Sequence, residues 1–171
     1  MLVKTAWLLA AGVGFVTGSP SGPAPMTREL LNGIIETIYP LPNYRLAERA
    51  SVGKRADINL SGQNCASSCS GAAGSGPNQA DCDQLINAMY ALGTYAFTIG
   101  PYSGARWILS SCTIAFDQAT DNTVTYQYND MGSVAAYLVG ACNAANGHGE
   151  GFCVFDGLEV EIEVANSNTV S

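Results

Sequence analysis

Two neighbouring stretches predict the centre of the fold: Arg106–Phe116 reads RWILSSCTIAF, and Thr123–Tyr128 reads TVTYQY. The first is rich in β-branched and aromatic residues and is fairly apolar on both alternate faces, which predicts one long strand in the centre of a sheet. The second alternates Val124, Tyr126 and Tyr128 with polar residues, which predicts a strand with one buried face. A β-sheet is therefore expected at the centre of the molecule.

Two amphipathic helices are predicted around these strands. The first covers Cys82–Leu92, with Asp81 as its N-cap and Gly93 at its end. The second covers Met131–Ala145 and follows Asn129-Asp130. The residues predicted to form its buried face are Val134, Tyr137, Leu138, Ala141 and Cys142.

Three further strands complete the predicted domain: Thr94–Ile99, Phe152–Phe155 and Leu158–Val164. In the last of them Glu159, Glu161 and Glu163 alternate with apolar residues and are expected on a solvated face. The element order α-β-β-β-α-β-β predicts an α+β fold, an antiparallel sheet of four to five strands with two helices in an αβα-type sandwich.

Six cysteines, an even number, all follow residue 60. In a secreted chain such a set predicts three disulfides, and 15 connectivities are possible. No second Cys pair or His cluster accompanies Cys65 and Cys69 at ligand spacing, so neither a metal site nor a cofactor is predicted. The cysteines expected to form disulfides are Cys65, Cys69, Cys82, Cys112, Cys142 and Cys153. The Gly- and Ser-rich stretch Asn64–Ala80 is predicted to be a loop held by them.

The first residues have the pattern of a secretory signal peptide. A short basic start is followed by the apolar run Ala6–Val16 and then by small residues. Eleven apolar residues are too few to cross a bilayer, so residues 1–18 are predicted to be removed and the protein to be secreted, with no integral membrane segment.

Residues 19–55 are predicted to be a propeptide or linker. They contain no Cys and five Pro, and they end in the dibasic pair Lys54-Arg55, typical of a kexin-type processing site. Within them, Thr27–Tyr39 places Leu and Ile residues on one helical stripe before Pro40, which predicts an amphipathic helix. Residues 56–171 then form the disulfide-rich domain, in which Asn59 begins a glycosylation sequon.

The charge distribution argues against polyanionic partners. The chain has 171 residues, 7 basic and 14 acidic, and only Arg106 among the basic ones follows residue 55. Nucleic acids and anionic membranes are bound mainly through Lys and Arg, so neither is an expected partner.

Few residues in the sequence have the pattern of a catalytic site. His148 is the only histidine, and there is no Gly-x-Ser-x-Gly motif, so a Ser–His–Asp hydrolase is not indicated. A pair of carboxylates drawn from Asp130, Glu150 and Asp156 is the remaining enzymatic alternative, a hydrolase of the glycosidase type. No enzymatic activity is predicted.

A glycan would be bound by aromatic rings and planar polar side chains on loops. The residues predicted to supply these groups are Tyr102, Trp107, Asn129, Asp130, Asn146, His148 and Glu150.

Several motifs resemble those of the small secreted fungal proteins typified by a mushroom glycan-binding protein, the Y-three-like domain family. They are Asn64-Cys65-x-x-x-Cys69, Asp81-Cys82-x-x-Leu85, Ser111-Cys112-Thr113-Ile114-Ala115-Phe116, and Gly149-x-Gly151-x-Cys153. The resemblance covers roughly residues 62–167. It implies an α/β sandwich that binds a glycan or glycoprotein, and a homodimer formed by sheet extension. Shorter motifs, among them Asp81-Cys82 and the strand around Cys112, are similar to fungal necrosis-inducing effectors and killer-toxin-like domains. The first resemblance implies a lectin-like binder without catalysis, and the second a secreted effector or toxin that acts on competitor or host cells.

Overall fold

The computed structural model describes residues 24–30, 33–41, 56–142 and 146–169. The predicted signal peptide 1–18 and the dibasic pair Lys54-Arg55 lie outside these residues. The described helices are α1 (Gln79–Leu92) and α2 (Tyr128–Ala141). The described strands are β1 (Met26–Glu29), β2 (Ile35–Pro40), β3 (Asp57–Asn59), β4 (Ala66–Ser70), β5 (Ala96–Ile99), β6 (Ser103–Leu109), β7 (Cys112–Gln118), β8 (Thr123–Gln127), β9 (Glu150–Val154) and β10 (Val160–Asn166).

The strands form two sheets. The large sheet has seven strands in the order β1-β2-β6-β7-β10-β9-β4, and every neighbouring pair is antiparallel. The small sheet has the order β3-β8-β5, with β3 parallel to β8. The α+β class is confirmed, whereas the predicted four to five strands were too few. The segment predicted as a helix and the stretch predicted as a loop contribute three strands to the large sheet, and the predicted long strand contributes two.

The predicted long strand Arg106–Phe116 is wrong: it is a tight hairpin of β6 and β7. The chain reverses at Ser110 and Ser111, and Leu109 pairs directly with Cys112. Ser110 has a φ of 54°, a left-handed conformation that is uncommon for residues other than glycine. The two strands lie at the centre of the large sheet, as their apolar faces predicted.

The predicted helix over Thr27–Tyr39 is also wrong, because this segment is the hairpin β1–β2. Gly33, with a φ of 77°, lies between the two strands. Side chains of β2 alternate at the strand period: Glu36 is buried on the inner face, while Thr37 and Tyr39 lie on the outer one. The β-branched residues of this strand favour pairing with β6 over the local helical stripe.

Both helices cover the same face of the large sheet, so the described layers are not an αβα sandwich. α1 packs on β6 and β7, and α2 packs on β9 and β10. The small sheet also packs on this inner face, where six rings pack edge-to-face, tilted or stacked. These rings belong to Phe97, Trp107, Phe116, Tyr126, Tyr128 and Phe155. They form the aromatic part of the core.

All six cysteines are paired, as predicted. The bonds are Cys65–Cys153, Cys69–Cys142 and Cys82–Cys112. The second attaches β4 to the end of α2, and the third attaches α1 to β7. The stretch predicted as a loop, Asn64–Ala80, therefore contains the edge strand β4 and the first residues of α1.

The helix boundaries differ from the predicted ones by a few residues. α1 begins after Asn78, whose side chain accepts a hydrogen bond from the Ala80 amide. The predicted cap, Asp81, instead accepts from the amide and the hydroxyl of Ser111 at 3.1 and 2.6 Å. α2 begins three residues before the predicted start. Neither described helix combines the length and the apolar character needed to cross a membrane.

Candidate functional site

The seven side chains predicted to bind a glycan lie at separate places. Asn129 and Asp130 are in the first turn of α2, and Asn146 lies beyond its other end, where it donates to the Gly140 and Ala141 carbonyls. A helix of that length spans about 20 Å. Tyr102 and Glu150 lie at opposite ends of the strands of the large sheet. Ser103, next to Tyr102, pairs with Gln118, which pairs with the first residue of β10, whereas Gly151, next to Glu150, pairs with Val164 near the end of β10.

Most of these side chains have a structural role. Trp107 is 1% exposed within the core, so its ring cannot serve as a surface platform in this arrangement. Tyr102 occupies a turn with a φ of 48°. Asp130 accepts a hydrogen bond from the Gly62 amide at 2.8 Å. His148 is half-buried.

The glycines beside His148 allow close backbone approach. A side chain at Gly149 would collide with the Ser75 hydroxyl and the Ala72 carbonyl, and one at Gly151 would collide with Leu138. The loop that follows β4 therefore packs directly on the start of β9. Glycine is required here for packing.

The carboxylates named for the hydrolase alternative are not brought together. Glu150 begins β9 and Asp156 follows its end, so the length of the strand separates them. Asp130 lies on α2, where it contacts the segment before β4. Asn59, the predicted glycosylation site, is exposed at the end of β3. Its glycosylation stays a prediction.

A groove of about 360 Å³ lies between the edge strand β4 and the outer side of α2. We call it the amide groove. It is lined by Gln63, Asn64, Cys65, Ser67, Ser133, Val134, Tyr137 and Cys153. Two carboxamides, two serine hydroxyls and one tyrosine side chain therefore surround a single open space.

Local structure fixes both walls of the amide groove. Ser133 and Tyr137 are four residues apart on α2 and therefore share a helix face. On the other wall, the Cys65–Cys153 disulfide fixes the start of β4 to β9, and Ser67 pairs with Cys153. The bond holds the segment that carries the amides of Gln63 and Asn64.

Tyr137 was predicted to lie on the buried face of α2, and this is wrong: its side chain is 60% exposed. Gln63, Asn64 and Ser67 are exposed as well. The lining, all of which belongs to the described residues, includes no Asp, Glu, Lys, Arg or His. The groove thus offers an aromatic face and neutral hydrogen-bonding groups.

A second cluster lies on the outer face of the large sheet, the face away from the helices. Arg106 lies over the ring of Tyr39, 4.3 Å from its centroid, and the Tyr39 hydroxyl donates to Asp117 Oδ1 at 2.5 Å. Asp117 and Glu161 face each other across β7 and β10. Glu163 follows on the same face, and Glu150 accepts a bond there from the Ser70 hydroxyl at 3.2 Å.

Crowding of carboxylates changes the acidity of this outer-face cluster. Burial, together with the neighbouring Glu150, Glu161 and Asp117, raises the pKa of Glu163 to about 7, although Arg106 opposes the shift. Burial and Asp117 also raise the pKa of Glu161. The glutamate face of the last strand was predicted to be fully solvated, but Glu161 and Glu163 on it are half-buried. Glu159 is exposed, as predicted.

We expect the folded protein to become less stable as the pH rises from about 5 to about 8. Since the pKa of Glu163 is raised from 4.5 to about 7, the folded state binds more protons than the unfolded chain between these values. The resulting stabilisation is complete below about pH 4.5 and is lost as the pH rises through about 7. Melting temperatures across this range test the expectation.

The matched variants for this test are Glu163→Gln and Glu159→Gln. Both remove one carboxylate from the same strand region, but Glu159 is exposed. Glu163→Gln should flatten the dependence of the melting temperature on pH, whereas Glu159→Gln should leave it unchanged. Equal slopes in the wild type and in Glu163→Gln would contradict this assignment.

Within the described ranges, no group of three or more His, Cys, Asp or Glu side chains is placed to hold a metal ion. The comparisons with known proteins add no relative: no protein-family model, curated protein or solved structure matches the chain. The resemblance to the Y-three-like domain family, and the homodimer it implies, stay predictions.

Proposed function

We propose that this protein is an extracellular carbohydrate-binding, lectin-like protein without catalytic activity, and that it binds a neutral part of a glycan in the amide groove. The observation that carries the proposal is the combination in one open groove of the exposed Tyr137 ring with the amides of Gln63 and Asn64.

These groups match the chemistry of a sugar. A pyranose ring has an apolar C–H face, which packs on an aromatic ring, and a rim of hydroxyls that both donate and accept hydrogen bonds. A carboxamide supplies two N–H donors and one acceptor oxygen, and a serine hydroxyl both donates and accepts a hydrogen bond. Tyr137 would therefore bind the sugar face, and Gln63, Asn64 and Ser67 its hydroxyls.

The absence of charge in the described lining supports a neutral ligand and a binding role. General acid–base catalysis needs a titratable group beside the reacting bond, and the groove offers only the Tyr137 phenol. The three disulfides support an extracellular site of action, since such bonds persist in oxidising compartments.

A glycan-array screen of the secreted protein, followed by calorimetry with the best ligand, tests the proposal. Tyr137→Ala should weaken binding at least about tenfold, because an anchoring ring is lost. Tyr137→Phe keeps the ring and should retain most of the affinity, whereas Asn64→Ala should weaken it severalfold. The matched control is Tyr95→Ala, which removes another exposed ring that is 77% accessible and lies outside the groove.

Two results would contradict the proposal. A blank array with correctly folded protein would favour the effector or toxin alternative, and cell-death assays would follow. Equal loss of binding in Tyr95→Ala and Tyr137→Ala would place the ligand away from the amide groove.

A further inference from the structure

The N-terminal hairpin β1–β2 belongs to the large sheet although it precedes the predicted processing site. β2 pairs with β6 from Ile35, opposite Ile108, to Pro40, opposite Ser103. No cysteine precedes Cys65, so no disulfide can attach the hairpin to the rest of the fold. The hairpin is connected to residues 56–169 covalently through the chain segment 42–55, and otherwise through non-covalent contacts.

Glu36 is the central contact of the hairpin. Its side chain is 2% exposed, and Oε1 accepts hydrogen bonds from Trp107 Nε1 at 2.9 Å and from the Tyr128 hydroxyl at 3.1 Å. Oε2 pairs with Arg28 of β1. Both buried donors belong to the domain, while the acceptor comes from the hairpin.

Contacts on both faces of β2 extend this attachment. On the inner face Ile34 is buried, and Leu30 and Ile38 pack against the core. On the outer face the Tyr39 hydroxyl bonds Asp117. The hairpin is thus held by backbone pairing, apolar burial and polar side chains together.

We propose that the domain carries a strand-acceptor site, formed by the edge of β6 with Trp107 Nε1 and Tyr128 OH, and that the strands β1 and β2 stay bound there after the chain is cut within 42–55. The ligand class of this site is an extended segment with a carboxylate at the position opposite Trp107. Proteolysis at the predicted Lys54-Arg55 site then yields a two-chain protein, not a released propeptide.

The physical reason for retention is the cost of emptying the site. Departure of the hairpin would leave the β6 edge without its backbone partners. It would also remove the shared acceptor of Trp107 Nε1 and the Tyr128 hydroxyl, and buried donors without acceptors are unfavourable. Reassociation satisfies all of these groups at once.

The test uses the full chain with residues 46–52 replaced by the recognition sequence of a site-specific protease, so that it does not depend on cleavage at Lys54-Arg55. The protein is folded, cut and passed through gel filtration at micromolar concentration, and native mass spectrometry identifies the fragments in each peak. The wild-type hairpin should coelute with the domain as a one-to-one complex.

The matched variants are Glu36→Gln and Glu29→Gln. Each removes one carboxylate from the hairpin, but Glu29 is exposed on β1. Glu36→Gln should weaken retention about tenfold or more in a dilution series, and Glu29→Gln should not. If Glu36→Gln does not fold, Trp107→Phe removes one donor and keeps a ring in the core.

Separation of the wild-type hairpin from the domain on the column would overturn the proposal. Equal retention in Glu36→Gln and Glu29→Gln would overturn the assigned acceptor site. Neither outcome bears on the amide groove, so this proposal and the glycan-binding proposal can fail independently.

Discussion

Glu36→Ala is expected to lower the free energy of unfolding by about 2–6 kcal/mol, because two buried donors lose their acceptor, whereas the charged partner Arg28 is largely exposed. Truncation removes the only acceptor that the described residues supply to Trp107 Nε1 and the Tyr128 hydroxyl, and each unsatisfied buried donor costs about 1–3 kcal/mol. Denaturant unfolding measures the loss directly. In protein produced without residues 1–18, Trp107 is the only tryptophan, so its fluorescence reports on this site.

The control for this prediction is Glu29→Ala on the neighbouring strand. Because Glu29 is exposed, its truncation should change the free energy of unfolding by no more than about 0.5 kcal/mol. Glu36→Gln keeps an acceptor oxygen and should fall between the two. A loss in Glu36→Ala as small as that in Glu29→Ala would show that the hairpin contributes little to the fold.

The stretch around Glu36 shows why local periodicity predicted a helix where the structure has a hairpin. Ile34, Ile35 and Ile38 satisfy a helical stripe, yet Glu36 and Ile38 also alternate with Thr37 and Tyr39 at the strand period. Local pattern cannot separate these two alternatives. The strand conformation is favoured because it pairs with the edge of β6 and brings Glu36 to the buried donors of Trp107 and Tyr128. These residues are about 70 to 90 positions away in the sequence.

The turn at Ser110 and Ser111 was missed for a different reason. It contains neither Gly, Asn nor Pro, and apolar residues flank it on both sides, so Arg106–Phe116 has the composition of one strand. The hydroxyl of Ser111 bonds Asp81 and accepts from the Asn78 amide. The turn is thus stabilised by contacts with the start of α1 that the sequence does not display.

The two helices, the pairing of all six cysteines and the strands around Tyr126, Phe152 and Ile162 could be predicted, because each depends on short-range patterns. The amide groove could not. Its walls come from residues 63–67 and 133–137. They meet because Cys65 pairs with Cys153 of β9, on which α2 packs, and because Cys69 pairs with Cys142 at the end of α2. The sequence left this set of pairs open among 15 connectivities. Both Tyr137 and Leu138 were predicted to be buried, but the rotation of α2 directs only Leu138 inward and leaves Tyr137 exposed.

Removal of the Cys65–Cys153 bond, as Cys65→Ser with Cys153→Ser, should have two large effects. Because Cys69–Cys142 stays in place, the bond closes a loop of only about 15 residues in the unfolded chain, the segments 65–69 and 142–153, so its loss should lower the free energy of unfolding by about 3 kcal/mol. It should also release the segment that carries Gln63 and Asn64. Glycan affinity should then fall at least about tenfold even under conditions where the domain stays folded, since a mobile wall must be ordered on binding.

Removal of the Cys82–Cys112 bond separates these two effects. That bond closes a separation of 30 residues, and neither of its cysteines lines the groove; its loss should cost about 3–4 kcal/mol. It does not touch the amide groove, so the folded fraction should bind the glycan within about twofold of the wild type. Denaturant unfolding and calorimetry on both double variants provide the comparison. If both lose affinity equally, the binding site depends on global stability, and the specific role given to Cys65–Cys153 in shaping the groove is wrong.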